Sequence, residues 1–130
     1  MAASFTDEEL LKVIATLNEA LEFAKKTQND KVEFGIARDA CIQRFEYCIE
    51  LAWKVAMKAI GSLTKFPKQA VREMARADLI DSAEVWLDFI EARNVTSHSY
   101  DENIAQKVFI QIIKFSTDVV SLVNGLQALK

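Results

Sequence analysis

The side chains with the clearest potential for chemistry lie in one segment, residues 93–100, whose sequence is Arg-Asn-Val-Thr-Ser-His-Ser-Tyr. The Arg93 guanidinium offers a planar fork of donors suited to a phosphate, and His98, the only histidine, can accept and return a proton near neutral pH. Asn94 adds an uncharged donor. These residues fit metal-independent cleavage of an RNA phosphodiester, in which the ribose 2′-hydroxyl is the nucleophile. The segment lacks the carboxylate cluster that a two-metal nuclease uses.

The spacing of Arg93 and His98 limits how one chain can use them together. Five helical residues turn the chain to a position about 140° away from a shared face. Either the helix ends near Ser97 or a second subunit completes the site. Thr and Ser at 96–99 are poor helix-interior residues, and Asp101 is suited to cap a following helix, so an end here is favoured. A lone histidine is also common at a surface or helix end, and spacing alone does not separate these readings.

The composition predicts a single all-α domain over residues 1–130. Only three glycines and one proline interrupt the chain, and 51% of its residues are hydrophobic. The net charge is −3 and the pI is near 5.2, unlike a basic nucleic-acid coat protein. Contact with RNA would therefore need a local cationic patch or groove.

Five helical segments are predicted, and they should form an antiparallel up-and-down bundle of four to five helices. Thr6 with Glu9 forms a capping box for the first helix. Phe109, Ile113 and Val120 lie beside the core stripe of the last helix, which is more apolar surface than a small monomer needs and predicts self-association. The segments are 7–27, 36–60, 67–76, one capped by Asp81 with Glu84 and continuing to the 93–100 segment, and one from 101–102 to 122 or beyond.

We expect a cytoplasmic protein without a membrane segment, metal or cofactor. The N-terminus turns acidic before any apolar run, unlike a signal peptide, and no apolar stretch has the length of a membrane span. Cys41 and Cys48 are about 10 Å apart along one predicted helix, too far for a disulfide. Their apolar stripe indicates small buried hydrophobes in a reducing compartment, and Trp53 and Trp86 also have the spacing of core residues.

A basic row lies on the third predicted helix. Lys68, Arg72 and Arg76 are spaced by four residues and so share one face. The row is either an ordinary solvated face or a docking strip for an RNA backbone or an acidic partner.

Three stretches together resemble a known family. They are residues 42–47 with 50–54 (IQRFEY, ELAWK), 71–73 (VRE), and 85–88 with 92–101 (VWLD, ARNVTSHSYD). They look like the small helical partner of minimal nucleotidyltransferases, often described as a nucleotidyltransferase substrate-binding protein, within the HEPN superfamily. The resemblance covers roughly residues 39–122.

The resemblance implies a helical bundle that forms a homodimer, with the Arg-(four residues)-His motif of each protomer lining a cleft at the interface. Proteins with this motif resemble metal-independent endoribonucleases that act as toxins, and a separately encoded nucleotidyltransferase of the MNT type is the antitoxin. Where the motif continues His-any-Tyr, that enzyme adds AMP to the tyrosine and silences the nuclease. For this sequence the resemblance implies that Arg93 and His98 are catalytic, that Asn94 supports them, and that Tyr100 is modified.

Two functions remain open from the sequence. The first is the ribonuclease toxin, neutralised by its nucleotidyltransferase. The alternative is a non-catalytic substrate-binding subunit of a two-component nucleotidyltransferase, in which the polar cluster is a docking or acceptor surface. A purely structural bundle is a third reading. The Arg93/His98 pair favours the nuclease, because a docking surface does not require it.

Overall fold

The computed structural model describes residues 6–98 and 101–130, and over these residues the chain is helical. The helices are α1 (Asp7–Lys26), α2 (Lys31–Ala59), α3 (Pro67–Arg76), α4 (Ala83–His98) and α5 (Glu102–Ala128). The predicted all-α class is confirmed. The predicted α3 boundaries are those observed.

Two predicted helix starts were wrong, and in each case the capping residue explains the difference. α2 begins at Lys31 instead of Ile36, because the Asp30 side chain accepts a hydrogen bond from the Glu33 amide at 2.9 Å. The extra turns add Phe34 to the helix.

α4 is capped one residue later than predicted. The Ser82 hydroxyl, not Asp81, lies 3.2 Å from the Val85 amide and accepts its hydrogen bond. The predicted caps of the first and last helices are confirmed, since Thr6 and Asp101 each accept from the amide three residues later.

Ion pairs at the helix ends establish the packing directions. Lys130 Nζ lies 2.9 Å from Asp7, which brings the end of α5 to the start of α1. Arg38 near the start of α2 makes bonds of 2.7 and 2.9 Å to Glu102 at the start of α5. Short connections make α1 and α2, and likewise α4 and α5, antiparallel. The long helices thus alternate in direction along the chain, and α3 packs between α2 and α4.

An aromatic cluster joins three helices at the centre of the core. Phe45 of α2, Trp86 and Phe89 of α4 and Phe115 of α5 are all buried, with edge-to-face ring contacts at 5.1–5.5 Å. Phe115 of α5 contacts the rings of both neighbours, so the cluster ties α2 and the N-terminal half of α4 to α5.

The two cysteines are buried, as predicted, on the α2 stripe that faces this core. Burial raises the pKa of Cys41 to about 11 and that of Cys48 to about 12, because the thiolate loses its hydration. Both thiols are therefore inert packing groups at neutral pH.

The outer face of α5 differs in part from the prediction. Phe109 is buried rather than available to a partner, since it packs edge to face on Phe34 at 5.5 Å, a contact made possible by the early start of α2. Ile113 and Val120 are about half exposed, and Ile110 is exposed beside them.

α5 also corrects the expectation that no segment is apolar enough for a membrane span. By length and composition alone it qualifies, although part of its most apolar stretch is buried inside the bundle. The core helix of a bundle meets the same criteria, because one of its faces packs against its neighbours.

α2 and α3 end in the same left-handed turn. The residues after the caps, Gly61 and Asp78, have φ angles of 72° and 60°. The Ser62 amide bonds to the Met57 carbonyl at 2.9 Å, and the equivalent bond after α3 is also 2.9 Å. Glycine adopts this conformation without strain, whereas the Cβ of Asp78 makes it costly.

Candidate functional site

Two glutamates of α2 hold the part of α4 that carries the predicted motif. Glu46 and Glu50 are one turn apart and share a face of α2. Arg93 Nη2 lies 3.3 Å from Glu50 Oε1. The Thr96 hydroxyl donates a hydrogen bond to the Glu46 carboxylate and also lies 2.9 Å from the carbonyl oxygen of Arg93. Arg93 precedes Thr96 on α4, whereas its partner Glu50 follows Glu46 on α2, as the antiparallel packing requires. The two contacts hold α4 against α2 at both ends of the helical turn formed by residues 93–96.

The Arg93 guanidinium retains donors for a ligand. Its side chain is 36% exposed. Its Nη1 lies 3.4 Å from the Asn94 amide oxygen, a long contact, and its buried Nε has no acceptor among the residues described. A phosphate could therefore be bound by Arg93 while Glu50 still orients it.

The sequence predicted a helix end near Ser97, which would let one chain hold Arg93 and His98 on the same side. Instead, α4 continues through His98. In a regular helix, positions 93 and 98 are about 140° apart around the axis. The His98 side chain and all of Tyr100 lie outside what the structure describes. The structure thus brings Arg93 and Asn94 together and leaves the catalytic role of His98 and the modification of Tyr100 as predictions.

A cavity of about 700 Å³ opens beside Arg93, between the C-terminal half of α2 and the connection from α2 to α3. Its lining combines apolar and cationic side chains. The apolar ones include Trp53, Met57 and Leu63, and the cationic ones are Lys54, Lys58, Lys65 and Arg93.

The cavity concentrates positive charge in a chain whose net charge is −3. Four cationic side chains line it against one carboxylate, that of Glu50, which lies 3.3 Å from Lys54 Nζ as well as from Arg93. This is the local cationic groove that RNA contact would require in an acidic protein.

Trp53 is buried, as predicted for a core residue, but it also lines this cavity. The residue is 4% exposed, and the Lys54 ammonium lies 5.7 Å from the ring centroid. The indole Nε1–H is buried and has no acceptor in the described part of the chain. Trp86, by contrast, belongs to the aromatic cluster.

The predicted basic row is exposed along α3 but does not line the cavity. Lys68, Arg72 and Arg76 all face solvent. The cations near Arg93 were not singled out from the sequence, and neither were the two glutamates. The glutamates and lysines of α2 do have a signal in the sequence, because they form a row of charges at spacing four on a helix rich in buried residues. The row is Glu46, Glu50, Lys54 and Lys58.

A metal centre is not formed by the described side chains. No three His, Cys, Asp or Glu side chains among them come close enough to hold an ion.

Residues 8–128 match the family described as "Nucleotidyltransferase substrate binding protein like". The chain belongs to this family. The match spans α1 to α5 and includes the α2 glutamates, the cavity and the motif. The resemblance drawn from the three sequence stretches is thereby confirmed.

Two Haemophilus influenzae proteins are similar to this family member. One, named "Probable ribonuclease HepT", is 31% identical over 96 residues, covering 66% of this chain and 64% of that protein. The chain therefore spans less than two thirds of that relative's length. The other is a solved structure, described as the fold of a substrate-binding domain of a nucleotidyltransferase. It has a TM-score of 0.78 over 93% of this chain and 98% of its own, at 24% identity, and shows the same helical fold.

Proposed function

We propose that the protein is a HEPN-type toxin, a cytoplasmic metal-independent endoribonuclease that acts as a homodimer. The observation that carries this proposal is Arg93, oriented by Glu50 at the edge of a cationic cavity in an acidic chain. The similarity to a protein named as a probable ribonuclease supports it.

The proposed reaction uses the 2′-hydroxyl of the RNA as nucleophile. His98 removes its proton, the 2′-oxygen attacks the adjacent phosphorus, and the bond from phosphorus to the 5′-oxygen breaks. The leaving 5′-oxygen takes a proton from an imidazolium, and the products are a 2′,3′-cyclic phosphate and a 5′-hydroxyl. Arg93 neutralises the charge that develops on the phosphate oxygens, with Asn94 as an additional donor.

The dimer supplies a complete site. Positions 93 and 98 are about 140° apart on α4, so Arg93 of one protomer would act with His98 of the other across a two-fold axis. The half-exposed Ile113 and Val120 of α5 provide apolar surface for association.

Control of the toxin is assigned to an MNT-type nucleotidyltransferase, in line with the family description. The Tyr100 hydroxyl would attack the α-phosphorus of ATP, pyrophosphate would leave, and AMP would remain on the tyrosine. The added phosphate places negative charge two residues from His98, where the RNA phosphate must bind.

The test is RNA cleavage by the purified, unmodified protein in EDTA. Wild-type protein should cleave, and His98→Ala should lower the rate by about 10² or more with an unchanged circular dichroism spectrum. Arg93→Lys should also be impaired, because an ammonium cannot replace the bidentate fork. Intact tRNA and mRNA after incubation with wild-type protein would refute the proposal. Peptide mass tests the control step: Tyr100 should gain AMP only when the transferase is co-expressed.

A second candidate is the non-catalytic substrate-binding subunit of a two-component nucleotidyltransferase. The family description and a cavity of small-molecule size favour it. Transfer of a nucleotide to a small substrate only when both proteins are present, together with absence of RNA cleavage, would select this function.

A further inference from the structure

We infer that the cavity beside Arg93 holds one nucleotide of a single-stranded RNA chain, next to the phosphate bound by Arg93. Cleavage at this phosphate rests on the proposed ribonuclease function. Binding of the nucleotide in the cavity does not depend on that function.

The size and the apolar wall of the cavity suit a nucleobase. Its volume of about 700 Å³ lies within the range of sites that enclose small ligands. Leu63 is 93% exposed on this wall, an unusual position for a large apolar side chain that a base would cover. Met57 and Trp53 complete the apolar surface. Single-stranded RNA is the form whose bases are free to enter such a site.

The charges fit the backbone of the same nucleotide. Lys54 and Lys58 are one turn apart on α2, and Lys65 approaches from the other wall. A strand that enters with its base against the apolar wall would thus have its flanking phosphates between ammonium groups and the Arg93 guanidinium.

Two buried donors at this site have no acceptor among the described residues. They are Nε1 of Trp53, a residue only 4% exposed, and Nε of Arg93. An indole N–H can only donate, and buried polar groups are nearly always hydrogen-bonded. Both atoms are buried in the unbound protein, so the acceptors of a base or phosphate reach them when the Trp53 and Arg93 side chains turn toward the cavity, a movement that Trp53 fluorescence registers. A purely hydrophobic ligand would supply neither acceptors nor negative charge.

Tryptophan fluorescence reads occupation of the cavity directly, because the chain has only Trp53 and Trp86. The probe is a short single-stranded 2′-O-methyl RNA, which cannot be cleaved because its nucleophile is blocked. Trp86→Phe leaves Trp53 as the reporter, and its emission should change saturably with added probe. Trp53→Phe leaves Trp86 in the aromatic cluster, and its emission should stay constant.

A charge reversal in the cavity provides an independent measurement in protein that keeps both tryptophans. Lys58→Glu should weaken probe binding, measured by anisotropy, by about tenfold. It should also flatten the salt dependence of the logarithm of affinity by about 0.7 for each phosphate that the variant no longer neutralises. Lys12→Glu is the matched control, since it is also an exposed helical lysine but lies on α1 outside the cavity. It should change affinity less than about twofold.

The outcomes separate this inference from the ribonuclease proposal. Cavity-dependent binding of the probe without cleavage of unmodified RNA supports the inference and refutes the nuclease. A second outcome is cleavage of RNA while Trp53 emission does not respond to the probe and the Lys58→Glu and Lys12→Glu variants bind it equally well. That outcome supports the nuclease and overturns the inference. Saturation of the Trp53 signal by AMP but not by the RNA probe also overturns it, in favour of a small-molecule site.

Discussion

The ion pair between Glu50 and Arg93 should appear as a measurable coupling free energy. The perturbation is a double-mutant cycle of Glu50→Gln, Arg93→Gln and the double variant. Each substitution removes a charge while retaining a hydrogen-bonding chain. The coupling therefore reports the interaction between the two groups rather than the cost of either change alone.

The magnitude follows from the geometry of the pair. At the observed separation of 3.3 Å, Coulomb's law gives about 1.3 kcal/mol in water and about 5 kcal/mol at an effective dielectric constant of 20. The side chains are 36% and 29% exposed, so solvent screens them substantially. Ordering of two long side chains offsets more of the attraction, and the expected coupling is about 1 kcal/mol, the upper end for accessible pairs.

The assay is urea unfolding at low ionic strength, with the free energy of unfolding taken from curves of equal slope. The pair Glu19–Arg44, at 3.1 Å with side chains 77% and 40% exposed, is the matched control and should couple more weakly. Probe binding gives a second readout: Glu50→Gln should raise RNA affinity, because it removes the one negative charge in the cavity lining, while Glu19→Gln, outside the cavity, should not. A Glu50–Arg93 coupling no larger than the control, with unchanged RNA affinity, would refute the proposed positioning.

Three further predictions concern stability. Thr96→Val removes the hydroxyl bound to an α2 carboxylate and should lower the free energy of unfolding by about 1–2 kcal/mol. The control Thr16→Val loses only a hydrogen bond within its own helix and should lower it by less. Equal losses of stability in the two variants would contradict the proposed interaction. The Arg38 guanidinium holds the pKa of Glu102 below its ordinary value through hydrogen bonds and charge. The ion pair therefore stabilises the folded protein fully above the ordinary glutamate pKa, and this stabilisation is lost as the pH falls through the lowered pKa of Glu102. Glu102→Gln should therefore lower the melting temperature at pH 7, and this effect should shrink as the pH falls below the ordinary glutamate pKa of about 4.3. An equal effect at pH 7 and in strong acid would contradict the prediction. Asp78→Gly relieves the left-handed strain and should stabilise the protein by about 1 kcal/mol in thermal unfolding, whereas a loss would show that the aspartate side chain compensates.

The fold was largely predictable because its helices carry strong local signals. Apolar residues at spacings of three and four identified the core faces, and Pro67 and Gly61 correctly placed a start and an end. The errors arose at helix starts, and for α4 two candidate caps, Asp81 and Ser82, stand side by side. For α2, Asp30 lies before the predicted start at residue 36, and its role as cap lengthened the helix and allowed Phe34 to cover Phe109, a contact between helices far apart in sequence.

The site was predictable only in part, because chemistry was sought in one short segment. Residues 93–100 can suggest a reaction, but what holds Arg93 comes from α2, and a contact between helices has no local signature. The charge row from Glu46 to Lys58 becomes meaningful only when α4 is known to pack antiparallel to it. The row on α3 faces solvent, as both of its interpretations require, so its helical spacing does not decide between a solvated face and a docking strip.

The wall of the cavity formed by residues 61–65 has a thermodynamic consequence. Backbone bonds tie its Gly61 and Ser62 amides to α2, but beyond them the Thr64 and Phe66 amides bond to side-chain acceptors at 3.2 and 3.4 Å, and Leu63 is almost fully exposed. Such a segment opens locally at little cost, so its amide hydrogens should exchange with solvent well before those of α2. A ligand must restrict that freedom when it binds, and part of the interaction energy is offset by the entropy of ordering. Affinity at this site is therefore governed by the stiffness of the wall as well as by the charges around it.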